Sequence, residues 1–339
     1  MQHELGEGDL LDAEGHLAEA GWARREVRRY SRAAIGAPWY RIKEWDYYCV
    51  LAGRYGLSCV VADNGYMGLL GATWFDFEEP RATEESIVTL LPRGRMKLPE
   101  SADSGDILQQ HPKIRLAFSH VRGGRGLTVD CPGFGKGRGL KAELILSQPP
   151  MDRMVIVTPF AGAPHAFYYN QKINCMPATG SVSVGGESFA FEPSSAFGVL
   201  DWGRGVWTWD NVWYWGSASG MAEGKSVGFN IGYGFGDTSA ASENMIFFDG
   251  EAHKFDQVTF HIPPDTFDSA PWSFTSNDGR FEMRFEPIVD RHSAVDMKLL
   301  RSIQHQVFGR FSGVAVLDDG RRIEVNELLG FAEEVRNRW

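Results

Sequence analysis

Apolar and polar residues alternate with a period of two along most of the chain, beginning at Arg41. Because successive side chains of a β-strand point to opposite faces, this alternation is the pattern of half-buried strands. The run 41–50 is the first example. In the first half, further strands are predicted at 57–62, 66–77, 114–121, 126–131, 140–148, 153–158 and 165–175. In the second half, they are predicted at 197–202, 206–217, 226–235, 243–249, 255–262, 280–288, 305–317 and 321–327.

Turn signals separate these runs, and helical periodicity is weak everywhere. The best helical pattern covers 293–303, and the polar segment 1–32 is expected to form an arm with one short helix. The strongest turn signals are Asp63-Asn64-Gly65, Asp249-Gly250, Asp278-Gly279 and Asp319-Gly320.

Many short strands with little helix predict a mainly β protein, built from two antiparallel β-barrels or sandwiches packed together. The strand pattern relaxes near 185–198, where Gly and Pro-Ser-Ser residues cluster. We therefore expect an N-terminal arm over 1–40, a first β domain over 41–192 and a second β domain over 193–339.

Composition supports this fold class and excludes several others. The 339 residues include 39 Gly, 22 Phe, 11 Trp and 10 Tyr, which is incompatible with a disordered chain, a coiled coil or collagen. The formal net charge of −10 makes the chain a poor electrostatic match for nucleic acid phosphates.

The sequence carries no sign of export. The N-terminus is acidic and lacks an apolar core segment, and no run approaches the roughly 18 apolar residues of a membrane span. The four cysteines have no metal-binding or redox spacing, so we expect reduced thiols in a cytoplasmic protein. The sequence leaves a homodimer open.

Three familiar functional motifs are not matched by the sequence. The Gly-rich run 133–139 matches neither a phosphate-binding loop nor a dinucleotide-binding fingerprint. Neither Ser217 nor Ser219 has glycine on both sides at the spacing of a nucleophile elbow. The histidines show no close pair, so neither a metal nor a cofactor is expected.

The segment 198–236 stands out because it contains five of the Trp residues and ten Gly. In one uninterrupted strand, Trp207, Trp209, Trp213 and Trp215 would share a face; a turn at 210–211 would split them between two faces. Either geometry gives an aromatic wall, which is a hydrophobic core or a stacking surface for a flat ligand. The aromatic candidates for ligand binding are Trp202, Trp207, Trp209 and Tyr214.

Two acidic residues are candidates for catalysis. Asp201 and Arg204 precede the Trp cluster, either as an ion pair that orders the turn or as an acid with its orienting partner. Glu243 is in line with Met245 and Phe247, and it either points inward, where burial would raise its pKa, or lies in water at a strand end.

The strand 165–175 has an unusual polar face of Tyr168, Asn170, Lys172 and Asn174. A solvated face usually carries charged residues, whereas Asn and Tyr suit hydrogen bonding to a polar ligand inside a barrel. This face therefore lines a site or contacts solvent or another surface. Asn230, which shares its strand face with glycines, is a further candidate for ligand binding.

These residues carry a resemblance to a known family. The runs 167–174, 201–207, 230–237, 242–245 and 330–339, together with 43–48, resemble the uncharacterised domain-of-unknown-function family 2804. The architecture and the terminal Gly330-Phe331-Ala332-Glu333 are more distantly similar to two-domain lipocalin-like proteins such as carotenoid 1,2-hydratases and tocopherol cyclases. That similarity implies two calycin-type β-barrels with a cavity near their junction.

Together these features predict a cofactor-free acid/base enzyme of hydratase, cyclase or isomerase type. Its substrate would be a cyclic or isoprenoid-like small molecule bound in a Trp-lined cleft built from 165–175 and 200–249. Asp201 would be the acid, Arg204 its orienting partner and Glu243 the second acid/base. One alternative is a glycoside-active enzyme that uses Asp201 and Glu243 with Trp stacking. The other is a lipocalin-like carrier without catalysis.

Overall fold

Two curled antiparallel sheets form the computed structural model, which describes residues 2–264, 266–297 and 300–338. Strands account for 64% and helix for 3% of the structure. The predicted mainly β architecture is therefore confirmed.

The N-terminal segment contains only short elements. Its strands are β1 (Gly8–Asp9), β2 (Gly21–Ala23) and β3 (Arg28–Arg29), and two 3-10 turns follow at Arg32–Ala34 and Trp39–Arg41. β1 and β3 form a small parallel pair.

The first large sheet takes its strands from the next half of the chain, with one helical turn, α1 (Phe134–Gly137), between them. The strands are β4 (Ile42–Ala52), β5 (Tyr55–Asp63), β6 (Met67–Asp76), β7 (Arg81–Leu90), β8 (Ile107–His111), β9 (Ile114–Val121), β10 (Gly124–Cys131), β11 (Leu140–Ser147), β12 (Met154–Phe160), β13 (Ala163–Val184), β14 (Glu187–Phe191) and β15 (Phe197–Val206).

In this sheet the order is β7-β6-β5-β4-β15-β13-β11-β10-β9-β8. The long strand β13 also pairs with β12 and β14, and β12 pairs with β2, which ties the N-terminal segment to the sheet. β15 lies between β4 and β13, so it is a central strand whose faces are both covered.

The second sheet has the order β19-β18-β17-β16-β24-β23-β22-β21-β20. Its strands are β16 (Asp210–Ala222), β17 (Lys225–Tyr233), β18 (Met245–Phe248), β19 (Glu251–Lys254), β20 (Val258–His261), β21 (Trp272–Ser276), β22 (Phe281–Met297), β23 (Leu300–Val316) and β24 (Arg322–Arg338).

The chain passes from the first sheet to the second between Val206 and Asp210. The strand predicted at 206–217 is therefore wrong over 207–209, which are a connection, and no hairpin joins β15 to β16. The domain ranges 1–40, 41–192 and 193–339 remain a prediction, although the change of sheet lies after their second boundary.

The predicted helix at 293–303 is wrong where the chain is described. Ser293 pairs with Gln304 and Val295 with Ser302, because β22 and β23 are paired antiparallel. Residues 298–299 of this segment lie outside the described residues. A short apolar period alone does not distinguish a helix from a paired strand.

The largest hydrophobic core is centred on the first sheet but also includes Met245 and Phe247 of β18, and a second core lies within the second sheet. A third cluster joins the two sheets. In that cluster Phe75 of β6 packs on Phe308 of β23, with ring centroids 4.1 Å apart. Tyr47 of β4 and Trp215 of β16 belong to the same cluster. The inner faces of both sheets therefore meet, and the functional candidates lie where they meet.

Candidate functional site

A cavity of about 230 Å³ lies between the two sheets, and we call it the central cavity. β4, β5, β6, β13 and β15 of the first sheet line it together with β16, β22, β23 and β24 of the second. Its aromatic lining is Trp45, Tyr47, Tyr168, Trp207, Trp213, Trp215 and Phe235. Its charged lining is Lys172, Asp201, Glu243, Arg291 and Glu333.

Strand alternation explains why these side chains point inward. Tyr168 and Lys172 share a face of β13, and Asp201 of β15 is the direct register partner of Lys172. In the second sheet, Trp213 and Trp215 share a face of β16. The polar face predicted for the strand 165–175 therefore lies partly at an interior cavity.

Two glycines make room for cavity side chains. A Cβ atom on Gly203 would lie 1.9 Å from Cζ2 of Trp45, so the indole ring occupies the space that a side chain would fill. Likewise, a Cβ atom on Gly232 would lie 2.8 Å from the carboxyl carbon of Glu243. Gly203 and Gly232 of segment 198–236 thus allow side chains of the cavity lining to pack closely against the strand backbone.

Asp201 and Lys172 form a buried ion pair in the lining of the central cavity. Lys172 Nζ lies 2.8 Å from Asp201 Oδ1, and Asn170 Nδ2 donates to the same oxygen at 2.6 Å. The ammonium also lies 3.6 Å from the ring centroid of Trp215, a close cation–π contact. Because both charges are removed from water, each depends on the other for compensation.

Glu333 of β24 is the second buried carboxyl group, with a relative exposure of 3%. Trp213 Nε1 donates to Oε1 at 3.0 Å, while Gln306 Nε2 and Gln304 Nε2 donate to Oε2 at 3.1 and 3.2 Å. Burial raises the pKa of Glu333 from 4.5 to about 7, against the opposing effects of these hydrogen bonds and of Lys172.

Glu243 is the third carboxyl group at the cavity. Asn230 Nδ2 donates to its backbone oxygen at 2.7 Å, and Asn230 Oδ1 accepts from Trp215 Nε1 at 2.7 Å. Burial raises the pKa of Glu243, and Lys172 partly opposes the rise. The sequence left open whether Glu243 points inward or lies in water at a strand end. In the structure it is buried and points inward, from the segment just before β18.

Arg204 does not contact Asp201, so the predicted partnership is wrong. Because three positions separate them on β15, their side chains leave opposite faces of the strand. The fully buried Arg204 guanidinium donates instead to Asp46 Oδ1 at 2.9 Å and to the backbone oxygens of Trp45 and Pro99, each at 2.7 Å.

Three of the predicted aromatic residues do not border the central cavity. Trp202 is buried on the opposite face of β15, where the Arg204 guanidinium covers it at 4.1 Å. Trp209 is 54% exposed in the connection between the sheets. Tyr214 alternates with the inward Trp residues of β16 and stacks on Tyr233, with ring centroids 4.6 Å apart.

The predicted asparagines Asn170, Asn174 and Asn230 are not among the residues that line the central cavity. Asn170 holds Asp201 and Asn230 holds Glu243, as described above. Asn174 lies farther along β13, where its amide donates to Ser217 Oγ at 2.8 Å and to the backbone oxygen of Phe229 at 3.1 Å. Asp201, Glu243, Tyr168, Lys172 and Trp207 are the predicted residues that the structure does bring together at the cavity.

Sequence reasoning missed Glu333 as a candidate, although Gly330-Phe331-Ala332-Glu333 contributed to the resemblance. The signal that could have found it is alternation in β24, where Glu333, Val335 and Asn337 share one inward face. Arg291, Gln304 and Gln306 were missed because no motif marks them, and Trp45 was missed although it lies in the run 43–48 that contributed to the resemblance. Only the pairing of distant strands assembles these residues.

No group of three His, Cys, Asp or Glu side chains within residues 2–264, 266–297 and 300–338 is arranged to hold a metal ion. In the same ranges, no helix has the length and apolar character needed to cross a bilayer.

The fold and the interior cavity define the class of protein: a lipocalin-like β protein with two antiparallel sheets. One similar solved structure is a "putative ATTH" from Nitrosomonas europaea, with 14% identity and a TM-score of 0.53 over 87% of this chain and 92% of that chain. Another is kievitone hydratase from Nectria haematococca, with 12% identity and a TM-score of 0.47 over 88% of each chain.

The chain belongs to the family described as a domain of unknown function, DUF2804, whose model matches residues 2–339. The predicted family resemblance is thereby confirmed. No curated protein matches the sequence.

Proposed function

We propose that the protein is an acid/base enzyme that hydrates, cyclises or isomerises a small unsaturated ring compound in the central cavity. The observation that carries the proposal is Glu333, a buried carboxyl group at the cavity whose three hydrogen-bonding neighbours all donate. With a pKa raised to about 7, this group exchanges its proton near neutral pH.

Glu333 is better placed than Asp201 to act as the proton donor. When Glu333 is protonated, its O–H finds only N–H donors around it and is free for an acceptor in the cavity. Asp201 instead accepts from Lys172 and Asn170, so it is committed to an ion pair. We therefore assign proton donation to Glu333 and charge compensation to Asp201 and Lys172.

The aromatic lining suits the positive charge that this chemistry develops. Proton transfer from Glu333 to a carbon–carbon double bond forms a C–H bond and leaves a carbocation and the Glu333 carboxylate. Addition of water followed by loss of one of its protons gives hydration, attack by a second double bond followed by loss of a proton gives cyclisation, and direct loss of a different proton gives isomerisation. In each case the released proton returns to the Glu333 carboxylate, which restores the acid. Faces of Trp residues stabilise cations, as the contact between Lys172 and Trp215 illustrates.

The size of the cavity favours a compact substrate. Its volume of about 230 Å³ exceeds that of an apolar cavity of about 150 Å³ that binds benzene, but it leaves little room for a long isoprenoid chain. The buried indole N–H of Trp207 also has no acceptor among the described residues. A hydroxyl or carbonyl oxygen on the substrate would supply one.

The test is deuterium transfer from solvent. Incubating the protein in D₂O with a panel of small unsaturated cyclic alcohols and ketones should place deuterium on carbon, as detected by mass spectrometry. Glu333→Gln should abolish the transfer, whereas Arg284→Met, which changes an exposed arginine of β22 outside the cavity, should retain it.

Two outcomes would contradict the proposal in different ways. Binding of panel compounds without any transfer, and with equal affinity in Glu333→Gln, would favour a carrier. Hydrolysis of aryl glycosides that is lost in both Asp201→Asn and Glu243→Gln would favour the glycoside-active alternative.

A further inference from the structure

We infer that Arg291, held by Glu84, is a positioning residue that fixes the orientation of the Gln306 amide toward Glu333. The inference rests on the proposed function, because it concerns how the proton donor of that site is kept ready. It assigns a role to three residues that no sequence motif marks.

The contacts form a continuous chain across the two sheets. Arg291 Nη2 and Nε donate to Glu84 Oε2 at 2.6 and 2.8 Å. Arg291 Nη1 donates to Gln306 Oε1 at 3.1 Å, and Gln306 Nε2 donates to Glu333 Oε2 at 3.1 Å. Glu84 belongs to β7 of the first sheet, whereas the other three residues belong to β22, β23 and β24 of the second.

The direction of these hydrogen bonds follows from the guanidinium group. Arginine can only donate, so the side of the Gln306 amide that faces Arg291 must be its oxygen. Tyr47 also approaches that oxygen with its hydroxyl group, at 3.4 Å. The NH₂ group of Gln306 is therefore turned toward Glu333. Turning the amide over would place this NH₂ group against the N–H donors of Arg291, and neither group would have an acceptor there.

This orientation decides what a proton on Glu333 can do. With the NH₂ group toward Glu333, the amide offers no acceptor to the protonated carboxyl group, and the acidic O–H remains available to the cavity. Without Arg291, the amide can turn and accept that O–H. The proton would then be held by Gln306, and the protonated form of Glu333 would be stabilised.

Other ionisable groups also face Glu333, and their charges act on its proton affinity in addition to the orientation of the Gln306 amide. They come from β4, β13, β15, β22 and the segment before β18. They are Tyr47, Tyr168, Lys172, Asp201, Arg291 and Glu243. Arg291 is the member of this set that contacts both Glu84 and Gln306, so its removal perturbs the orientation of the amide as well as the local charge.

The experiment is an infrared titration of Glu333 in the full-length protein without substrate. The carbonyl stretch of the protonated carboxyl group is isolated by subtracting the spectrum of the matching Glu333→Gln variant at each pH. We expect Arg291→Met to raise the pKa of Glu333 by at least one unit, which is about a tenfold rise in proton affinity. Arg291→Lys, which can still only donate, should restore much of the original value.

A double-mutant cycle separates positioning from simple charge. In a Gln306→Met background, the effect of Arg291→Met should fall to less than half of its value in the parent protein, because the amide that Arg291 orients is no longer present to turn. Arg284→Met, which removes a positive charge from the exposed face of β22, should leave the titration of Glu333 unchanged. Glu84→Gln should shift it in the same direction as Arg291→Met.

An equal effect of Arg291→Met with and without Gln306 would overturn the inference, as would no effect at all. Should Arg291→Met fail to fold, Arg291→Lys and Glu84→Gln carry the test, and an unchanged titration in Glu84→Gln would then overturn it. Because no substrate is used, these results are independent of turnover. Deuterium transfer that depends on Glu333, with an unmoved titration in Arg291→Met, would contradict this inference alone.

Discussion

Glu333 is the residue on which the proposed chemistry depends, and its burial has a cost for the fold. Its pKa is raised from 4.5 to about 7. Between these two values the folded protein holds a proton that the unfolded chain has lost, so stability must fall as the pH rises through this window. Once the pH exceeds the pKa of Glu333 in the folded protein, the full free-energy cost of keeping the ionised carboxylate buried is present.

We therefore expect Glu333→Gln to gain stability relative to the parent protein as the pH rises. The difference in the free energy of unfolding between the two proteins should change by up to about 3 kcal/mol between roughly pH 4.5 and pH 7. Urea unfolding at a series of pH values measures it. A difference that stays constant with pH would show that the buried carboxyl group does not titrate in this range.

The ion pair of Lys172 with Asp201 gives a second expectation at the same scale. Lys172→Met leaves the Asp201 carboxylate buried without its counter-charge and should destabilise the fold by about 3–5 kcal/mol. Adding Asp201→Asn should restore much of that loss, since no uncompensated charge remains. Equal stabilities of Lys172→Met and the double variant in urea unfolding would contradict this account of the pair.

At the scale of elements, β15 shows how a strand presents different chemistry on its two faces. Asp201 faces the central cavity, whereas Trp202 and Arg204 face the other side and pack together. Because β15 continues through Arg204, the two side chains lie on opposite faces, and their actual partners, Lys172 and Asp46, come from the strands on either side. These partners follow from the pairing of distant segments, which spacing along one strand does not reveal.

Gly203 makes β15 sensitive to a single methyl group. Gly203→Ala would place Cβ within 1.9 Å of the Trp45 ring. We expect the ring to move into the cavity, with a loss of about 1–3 kcal/mol in stability and a change in tryptophan fluorescence. Gly133→Ala is the control, because nothing lies within 4 Å of the added atom. Matching effects in the two variants would argue against the role of Gly203.

At the scale of the whole molecule, the alternation of the sequence was sufficient to predict the mainly β fold, and the family motifs predicted its lipocalin-like form. The position of the site was predicted only in part. The strand with Lys172 and the segment with Asp201 meet as expected of one site, because both lie on inward faces. Glu333 joins them from β24, which only the pairing of distant segments in the second sheet brings beside β16.

The pairing of distant strands also explains which sequence predictions were wrong. The helix expected at 293–303 is wrong because the described residues of this range take part in the antiparallel pairing of β22 with β23. Trp209 was expected in the aromatic wall but lies in the exposed connection between the sheets, whereas Trp45 enters the cavity lining from a strand far away in the sequence. Aromatic residues that are close in sequence are thus separated, and distant ones share the cavity.

The central claim is that Glu333 donates a proton to a substrate in the central cavity, and the pH dependence of deuterium transfer tests it most directly. With a panel compound that is turned over, the rate should be constant at low pH and fall about tenfold per pH unit above the pKa of Glu333. That fall should begin near pH 7, and Glu333→Gln should bind the compound without transferring deuterium. A rate that does not fall above neutral pH, or that persists in Glu333→Gln, would contradict the account.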